Sequence, residues 1–300
     1  MSVHTPSDSA KITVSTLLEK KRNRQPITCV TAYDYAGARL VDEAGIDILL
    51  VGDSLAQVVL GYENTLPVTI EEMLHHTKAV RRGLRRALLV ADMPFGSYHA
   101  SCDRAILNAA RFLKEGGAEA VKLEGGQKRY EIIRKVVEAE VPVMGHIGLT
   151  PQSVHAMGGY KVQGKSLAAI EQLLKDATAL DHAGVFSIVL EGIPREVAKL
   201  ITEEVSVPTI GIGAGPDCDG QVLVFHDLLG LTMTPPAKFV RRYAEAGQIM
   251  REALAAYKND VEQGAYPNDE ESYHLPKGAA ADLQRVLDDK RRLGLCKAAD

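Results

Sequence analysis

Five apolar runs of this 300-residue chain stop on side chains that can ionise or coordinate a ligand. The runs are rich in Val, Ile and Leu, which is typical of strands that are buried on both faces in a parallel sheet. Charge at the end of such a strand is costly unless it is paired or used. Because the pattern repeats from strand to strand, it predicts an active site at the carboxyl ends of a parallel barrel. The runs end at Asp53-Ser54, Asp92, Lys122-Leu123-Glu124, His146 and Glu191.

Strand-like and helix-like segments alternate along the chain. This alternation predicts the α/β class and a (β/α)8 TIM barrel, with an N-terminal helix and a long C-terminal helix. We expect eight strands joined by seven crossovers, with the last strand near residues 221–231 and a loop over residues 148–164. The long helix is predicted over residues 236–263. It is too long for the last crossover alone, so we expect it to pack on a neighbouring subunit.

Length and composition agree with one barrel in a reducing compartment. A single domain is predicted over residues 1–300, with weak patterns in the polar segment 1–11 and in the tail 266–300, where one short helix is expected over residues 280–292. The net charge of -4 gives no reason to expect nucleic acid or an anionic membrane as a partner. Four scattered cysteines without a CxxC pair, and no apolar signal or membrane stretch, predict a cytoplasmic enzyme.

Three of the run ends are carboxylates on adjacent strands. Asp53, Asp92 and Glu124 offer hard oxygen ligands, which suit Mg²⁺. Each of them alone could be a helix cap or a turn residue, and Asp53-Ser54 could form a local Asx turn. A metal site explains all three together.

Lys122 and Glu124 are two residues apart on one strand, so both side chains point the same way, towards the barrel interior. They fit a buried ion pair, or a lysine that holds a substrate carboxylate beside a metal-facing Glu124. Lys122 could also be a Schiff-base nucleophile, but that role needs a neutral amine, which nearby carboxylates disfavour. His146 fits equally well a buried core residue or a site residue.

Glu191 follows a strongly apolar strand. A partly buried carboxylate at this point suits a general base. The alternative is a salt bridge to Arg195 or Lys199 on the next helix.

The glycine-rich stretch at residues 211–215 is a poor nucleotide-binding motif, because Pro216 follows its third glycine. Its loop amides could bind a phosphate. We prefer the interpretation that the glycines let the backbone pass close to a ligand or a helix.

Several longer motifs are highly specific. They are GHIGLTPQSV at 145–154, GGYKVQG at 158–164, VGDSL at 51–55, GYENTLPVT at 61–69, ADMPFGSY at 91–98, VKLEGG at 121–126, and GIGAG at 211–215 with DGQ at 219–221. Together they resemble the ketopantoate hydroxymethyltransferase family over roughly residues 12–274. The sequence departs from that family's pattern at His155 and over residues 232–236, away from the proposed chemistry.

The resemblance implies a Mg²⁺-dependent barrel that assembles as a homodecamer of two pentamers. It implies transfer of a hydroxymethyl group from methylene-tetrahydrofolate to 3-methyl-2-oxobutanoate through a Mg-stabilised enolate, which forms 2-dehydropantoate in pantothenate biosynthesis. By position, Glu191 is the proton acceptor, and the metal ligands are Asp53, Asp92 and Glu124. The residues that contact substrate are Asp53, Ser54, Asp92 and Lys122.

Three other hypotheses stay open at this stage. One is a Mg²⁺-dependent enzyme of the isocitrate lyase and phosphoenolpyruvate mutase kind, although the mobile-loop cysteine usual in those enzymes is absent near Gly125 and Gly148. The second is the Lys122 Schiff-base aldolase, and the third is a non-enzymatic scaffold.

Overall fold

The structure is a computed structural model that describes residues 10–294. Residues 1–9 of the predicted polar segment and residues 295–300 of the predicted tail lie outside the described residues. The parallel strands pair in sequence order and close into a barrel, because β1 pairs with both β2 and β8. The predicted (β/α)8 fold is therefore confirmed. The strands are β1 Ile27–Thr31, β2 Ile48–Val51, β3 Leu88–Asp92, β4 Ala120–Glu124, β5 Val143–Gly148, β6 Ser187–Glu191, β7 Thr209–Ile212 and β8 Gly220–Leu223.

Helices connect most of the strands, and polar caps define where several of them begin. Thr69 accepts a hydrogen bond from the backbone N–H of Glu72, and the Glu72 side chain returns to the Thr69 backbone. This capping box satisfies donors that a helix start leaves unpaired. The helices are α1 Val14–Arg22, α2 Tyr35–Glu43, α3 Leu55–Val58, α4 Ile70–Gly83, α5 Cys102–Lys114, α6 Tyr130–Glu138, α7 Val154–Met157, α8 Leu167–His182, α9 Arg195–Glu204, α10 Phe225–Leu228, α11 Ala246–Glu262 and α12 Ala280–Arg292.

The barrel interior is apolar in its lower layers and polar at its carboxyl end. Successive strand residues point to opposite faces, so every second residue faces inward. On β3 the inward positions run from Leu88 through Val90 to Asp92, and all three side chains are buried. Leu17 of α1 packs in the same cluster as the inward apolar residues. The N-terminal helix therefore contributes to the apolar core, while the opposite end of the barrel carries the ionisable groups.

The outward-facing strand residues form a second core against the helices. Leu89 and Leu123 belong to this cluster together with Phe112 of α5, Ile133 of α6 and Leu180 of α8. All five are almost fully buried. Full burial of an apolar side chain of this size contributes roughly 1.5–3 kcal/mol. The free energy gained from these two apolar layers offsets the cost of burying charged groups at the strand ends.

The connection to the last strand is short, and the last strand ends earlier than predicted. Residues 213–219, all of which the structure describes, form no helix between β7 and β8. Two glycines and Pro216 in this short segment explain the absence, because both residue types disfavour helix. The strand β8 ends at Leu223 and not near residue 231, and α10 follows it.

The long C-terminal helix is confirmed, but it begins at Ala246 and not at residue 236. The backbone N–H of Tyr243 donates to the carbonyl of Leu228, a bond that an α-helix through this segment would not permit. The predicted loop 148–164 also contains local structure, a 3-10 turn over Pro151–Ser153 and the short helix α7.

The chain divides into two compact units, Met1–Glu245 and Ala246–Asp300. The first unit contains the barrel, and the second contains α11 and α12. The bounds of α12 match the helix expected over residues 280–292. Helix α11 carries exposed apolar side chains, among them Ile249, Leu254 and Tyr257. The single domain over residues 1–300 and the packing of α11 on a neighbouring subunit stay predictions. None of the helices in the described part of the chain has the length and apolar character needed to cross a bilayer.

A buried carboxylate ties α1 to the amino ends of β1 and β2. Asp47 Oδ2 accepts hydrogen bonds from Lys20 Nζ at 2.6 Å and from the backbone N and Oγ1 of Thr28, both at 3.0 Å. Arg86 Nη2 lies 3.4 Å from Asp47 Oδ1. Burial raises the pKa of Asp47, but Lys20 and Thr28 outweigh burial and hold the pKa below its usual value.

We predict that Asp47→Asn lowers the free energy of unfolding at pH 7 by about 2 kcal/mol, since hydrogen bonds to charged groups contribute roughly 1.5–3 kcal/mol. A depressed folded-state pKa gives stability that is present above the unfolded-state pKa, about 3.9, and is lost as the pH falls through the folded-state value. Urea unfolding of both proteins between pH 7 and pH 3 measures the difference. Glu43→Gln, which breaks the exposed pair with Arg39, is the control and should change stability little. A deficit that does not shrink at low pH would contradict an ionic origin.

Candidate active site

A cavity of about 190 Å³ lies at the carboxyl ends of the strands. Its lining includes every residue that the sequence singled out at a strand end, namely Asp53, Ser54, Asp92, Lys122, Glu124, His146 and Glu191. The strand register explains why they meet. Asp92 lies beside Lys122 across β3 and β4, and Glu124 lies beside His146 across β4 and β5. Residues distant in sequence are therefore neighbours in the top layer of the barrel interior.

The buried lysine lies among carboxylates. Lys122 is only 4% exposed, and its Nζ lies 2.9 Å from Asp92 Oδ2 and 3.8 Å from Glu124 Oε1. Burial lowers the pKa of Lys122, but Asp92, Glu124 and Asp53 outweigh it and raise the pKa above its usual value. Lys122 is therefore a charged ammonium. A Schiff-base nucleophile must be a neutral amine, so this environment disfavours the aldolase hypothesis.

Negative charge is in excess around this lysine. The Asp53 backbone N–H donates to Asp92 Oδ2 at 3.2 Å, and Asp53 Oδ2 accepts from Gln152 Nε2 at 2.9 Å. Burial, then the charges of Asp92 and Glu124, raise the pKa of Asp53 well above its usual value. Burial also raises the pKa of Asp92, although Lys122 opposes it. With all three carboxylates ionised, the cluster with its one ammonium carries a formal charge of −2. The raised pKa values of Asp53 and Asp92 reflect their burial and this excess of negative charge, which a bound cation would relieve.

His146 bridges two carboxylates. Its Nδ1 lies 3.3 Å from Glu124 Oε1, and its Nε2 lies 3.2 Å from Glu191 Oε2. Burial and Lys122 lower the pKa of His146, but the two carboxylates outweigh them and raise the pKa to about 9. The Lys122 Nζ also lies 3.1 Å from Nδ1. A hydrogen bond from the ammonium requires an unprotonated Nδ1, so Lys122 and Glu124 compete for that nitrogen.

Glu191 faces the cavity and not the next helix. Arg195 pairs with Asp217 at 2.9 Å, and Lys199 lies 3.9 Å from Glu203. The predicted alternative, a salt bridge from Glu191 to Arg195 or Lys199, is therefore not formed. The Glu191 side chain is 17% exposed. Its carboxylate can thus be reached from the cavity.

Within residues 10–294, four buried polar atoms around the cavity make no contact with hydrogen-bond geometry. They are Thr65 Oγ1, Asp92 Oδ1, Glu124 Oε1 and His146 Nε2. Two of them have ion-pair contacts only, His146 Nε2 with Glu191 Oε2 at 3.2 Å and Glu124 Oε1 with His146 Nδ1 at 3.3 Å. Buried polar groups in folded proteins are nearly always hydrogen-bonded, so a group of exceptions needs an explanation. Since all four residues line one cavity, we interpret the atoms as groups that bind a ligand.

The donor chemistry of the cavity fits Mg²⁺. Within the described residues, Asp92 Oδ1 has no hydrogen-bond partner, and Glu124 Oε1 has only ion-pair contacts with Lys122 and His146. Asp53 adds a third carboxylate. Within residues 10–294, no three His, Cys, Asp or Glu side chains converge closely enough to hold a metal ion by themselves. Mg²⁺ usually takes only one or two carboxylates from the protein and completes its shell with water and substrate oxygens. The ligand set Asp53, Asp92 and Glu124 stays a prediction.

Sequence reasoning missed a residue that organises these acids. Gln152 donates from its backbone N–H to Glu124 Oε2 at 3.0 Å, and its Oε1 accepts from the Tyr98 hydroxyl at 2.8 Å. Its Nε2 donates to Asp53, as described above. Ser54 Oγ, in turn, lies 2.9 Å from the Tyr33 hydroxyl. Gln152 lies within the conspicuous stretch 145–154, which was the available signal.

The glycine-rich stretch passes close to a helix, as predicted, because a Cβ at Gly215 would lie 2.4 Å from the Cβ of Arg195 at the start of α9. It also passes close to an aromatic ring. Gly213 has φ of +62°, and a methyl group there would lie 2.7 Å from the Phe239 ring. Its missing side chain therefore lets Phe239 lie against the end of β7. Phe239 also lines the cavity.

Comparisons with known proteins identify a family and relatives that this chain resembles. The family model described as ketopantoate hydroxymethyltransferase matches residues 11–269. The 3-methyl-2-oxobutanoate hydroxymethyltransferase of Koribacter versatilis (strain Ellin345) is 66% identical over 293 residues, which is 98% of this chain and 99% of that protein. The enzyme of the same name from Syntrophomonas wolfei is 55% identical over 266 residues, 89% of this chain and 96% of that protein.

Solved structures share the fold at low identity. A phosphonopyruvate hydrolase, crystallised with oxalate and Mg²⁺, has a TM-score of 0.57 at 11% identity and covers 94% of this chain and 99% of its own. A 2,3-dimethylmalate lyase of the phosphoenolpyruvate mutase and isocitrate lyase superfamily has a TM-score of 0.56 at 16% identity, with the same coverage. At such identities, the likeness shows the barrel fold alone.

Proposed function

The chain belongs to the ketopantoate hydroxymethyltransferase family, and from this we propose that it transfers a hydroxymethyl group from methylene-tetrahydrofolate to 3-methyl-2-oxobutanoate. The product would be 2-dehydropantoate, a precursor in pantothenate biosynthesis. The observation that supports this most directly is the group of buried carboxylates around Lys122 and beside Glu191 in one cavity, where Asp92 Oδ1 has no hydrogen-bond partner among residues 10–294. The cytoplasmic location and the homodecamer stay predictions.

The acidic cluster would bind the oxo acid together with Mg²⁺. Asp53, Asp92 and Glu124 would hold the ion, whose charge offsets the net −2 of the cluster and lets a carboxylate substrate enter. When bound, Mg²⁺ supplies a Lewis acid for the keto oxygen. The Lys122 ammonium and the Ser54 hydroxyl would bind the substrate carboxylate, while Asp53 and Asp92 border the substrate as well.

Glu191 would act as the general base. Its carboxylate takes the proton from C3 of the oxo acid, and the C–H electron pair becomes part of an enolate. The enolate carbon then attacks the methylene group of the folate and forms the new C–C bond. Over the whole reaction the two C–N bonds of that methylene group break, water supplies the hydroxyl group, and the proton held by Glu191 is returned as tetrahydrofolate is released. His146, 3.2 Å away, is placed to orient the carboxylate.

We predict that Glu191→Gln lowers turnover by about 10²–10⁴-fold, the usual contribution of general base catalysis. The amide has nearly the same shape, so the affinity for 3-methyl-2-oxobutanoate should change little. Steady-state kinetics and calorimetry with Mg²⁺ present measure the two quantities. Glu203→Gln on the exposed face of α9 is the matched control and should leave both unchanged. Near-normal turnover in Glu191→Gln would remove Glu191 from this role.

We predict that Asp53→Ala and Asp92→Ala each weaken Mg²⁺ binding, because each removes a carboxylate from the cluster. Calorimetric titration of Mg²⁺ into the substrate-free protein measures the effect without using activity. Asp217→Asn removes a carboxylate that pairs with Arg195 elsewhere and should bind Mg²⁺ as the unaltered protein does. If both alanine variants keep the same Mg²⁺ affinity, the proposed ligand set is wrong.

The reaction itself can be tested in two stages. In D₂O with Mg²⁺, the protein should exchange the C3 proton of 3-methyl-2-oxobutanoate, and NMR follows this without any folate. Addition of methylene-tetrahydrofolate should then produce 2-dehydropantoate. If the protein binds Mg²⁺ but neither exchanges the C3 proton nor forms product, the proposed function is excluded.

A further inference from the structure

The cavity has two chemically different walls. The strands β2 to β5 provide the acidic cluster, Lys122 and His146, whereas β6 to β8 provide Val189, Ile212 and Val222 beside the single carboxylate of Glu191. If the oxo acid binds as proposed above, its carboxylate and keto oxygens face the acidic wall. Its branched carbon then faces the apolar wall. The one-carbon donor must approach this carbon, so its ring system has to lie at the apolar side of the mouth.

One carboxylate stands apart at this side. Asp227 lies on α10 after β8, lines the cavity and is half-buried. Its Oδ1 accepts a hydrogen bond from Thr232 Oγ1 at 2.5 Å. Within the described range 10–294 no lysine, arginine or histidine forms a salt bridge with it. One carboxylate oxygen is therefore committed to Thr232, and the other has no side-chain partner among those residues.

Aromatic rings also border the cavity at its mouth. Phe239 is 40% exposed and Tyr160 is 51% exposed, and both line the cavity. The contact with Gly213 described above holds the Phe239 ring at the end of β7. Half-exposed aromatic rings offer flat apolar surface on which another ring system can stack.

We propose that Asp227 and Phe239 bind the pterin ring of the folate donor, an inference that rests on the proposed function. A pterin presents an N3–H and a 2-amino group side by side, which is the donor pattern that a carboxylate accepts with two parallel hydrogen bonds. Its faces are flat and apolar, which suits Phe239. Asp227 follows β8, whereas the proposed metal ligands lie at the ends of β2 to β4 and the proposed base ends β6. The proposed pterin site is therefore separate from both. Asp227 is thus assigned to binding the donor, and it takes no part in removing the C3 proton.

The test compares the two stages of the reaction in Asp227→Asn. The substitution replaces one carboxylate oxygen by an NH₂ group, which faces the N–H donors of the pterin edge and cannot accept from them. The KM for methylene-tetrahydrofolate should therefore rise by about 10- to 100-fold, as expected for a lost hydrogen bond to a charged group. Folate-independent exchange of the C3 proton should stay within about twofold of the unaltered protein. The KM for the oxo acid should not change. Asp217→Asn is the matched control and should keep all three values.

A second variant keeps the proposal testable if Asp227→Asn does not fold. Phe239→Leu keeps apolar volume but removes the ring, so it should also raise the donor KM and leave C3 exchange intact. If Asp227→Asn fails to fold, Phe239→Leu alone decides. Parallel loss of C3 exchange in the folded variants, or an unchanged donor KM, overturns the proposal. Absence of C3 exchange in the unaltered protein would instead refute the proposed function, so the two failures are distinguishable.

Discussion

The buried ammonium of Lys122 is the interaction on which the site depends. Its Nζ lies 2.9 Å from Asp92 Oδ2 and 3.8 Å from Glu124 Oε1, at the end of the barrel interior. Breaking a buried ion pair by removing one partner typically costs about 3–5 kcal/mol, because it leaves uncompensated charge behind. The closed sheet makes this arrangement possible, since the register holds Asp92 beside Lys122. The apolar layers beneath supply the stability that offsets burial of the charges.

The site nevertheless leaves its charges incompletely compensated. Among residues 10–294, Asp92 Oδ1 has no hydrogen-bond partner, while Glu124 Oε1 and His146 Nε2 make ion-pair contacts without hydrogen-bond geometry. A protein core that served stability alone would pair such atoms or replace them with apolar side chains. A bound cation and an oxo acid would satisfy them, and Glu191 stands next to them. On the apolar side of the cavity, formed by β7 and β8, the folate donor could approach the bound oxo acid. Asp227 and Phe239 lie on that side.

Much of the fold could be predicted because its signals are local. Buried strands appear as apolar runs, and Thr69 with Glu72 marks the start of α4 before any tertiary contact is considered. The errors lie where distant contacts decide. Strand β8 ends at Leu223 and not near residue 231, and the hydrogen bond from Tyr243 to Leu228 precedes the start of α11 at Ala246. A helical pattern that continues through residues 236–245 gives no sign of that bond.

The sequence by itself determined which ionisable residues end the strands, and the spacing of Lys122 and Glu124 determined that they share one face. It also carried the motifs that identify the family. Only the tertiary structure decided which atoms are partners, such as Gln152 with Asp53, His146 with Glu191, and Phe239 with Gly213. The reason is physical. Periodicity reports which way a side chain points from its own strand or helix, whereas its partners depend on strand register and on the path by which distant loops return to the barrel.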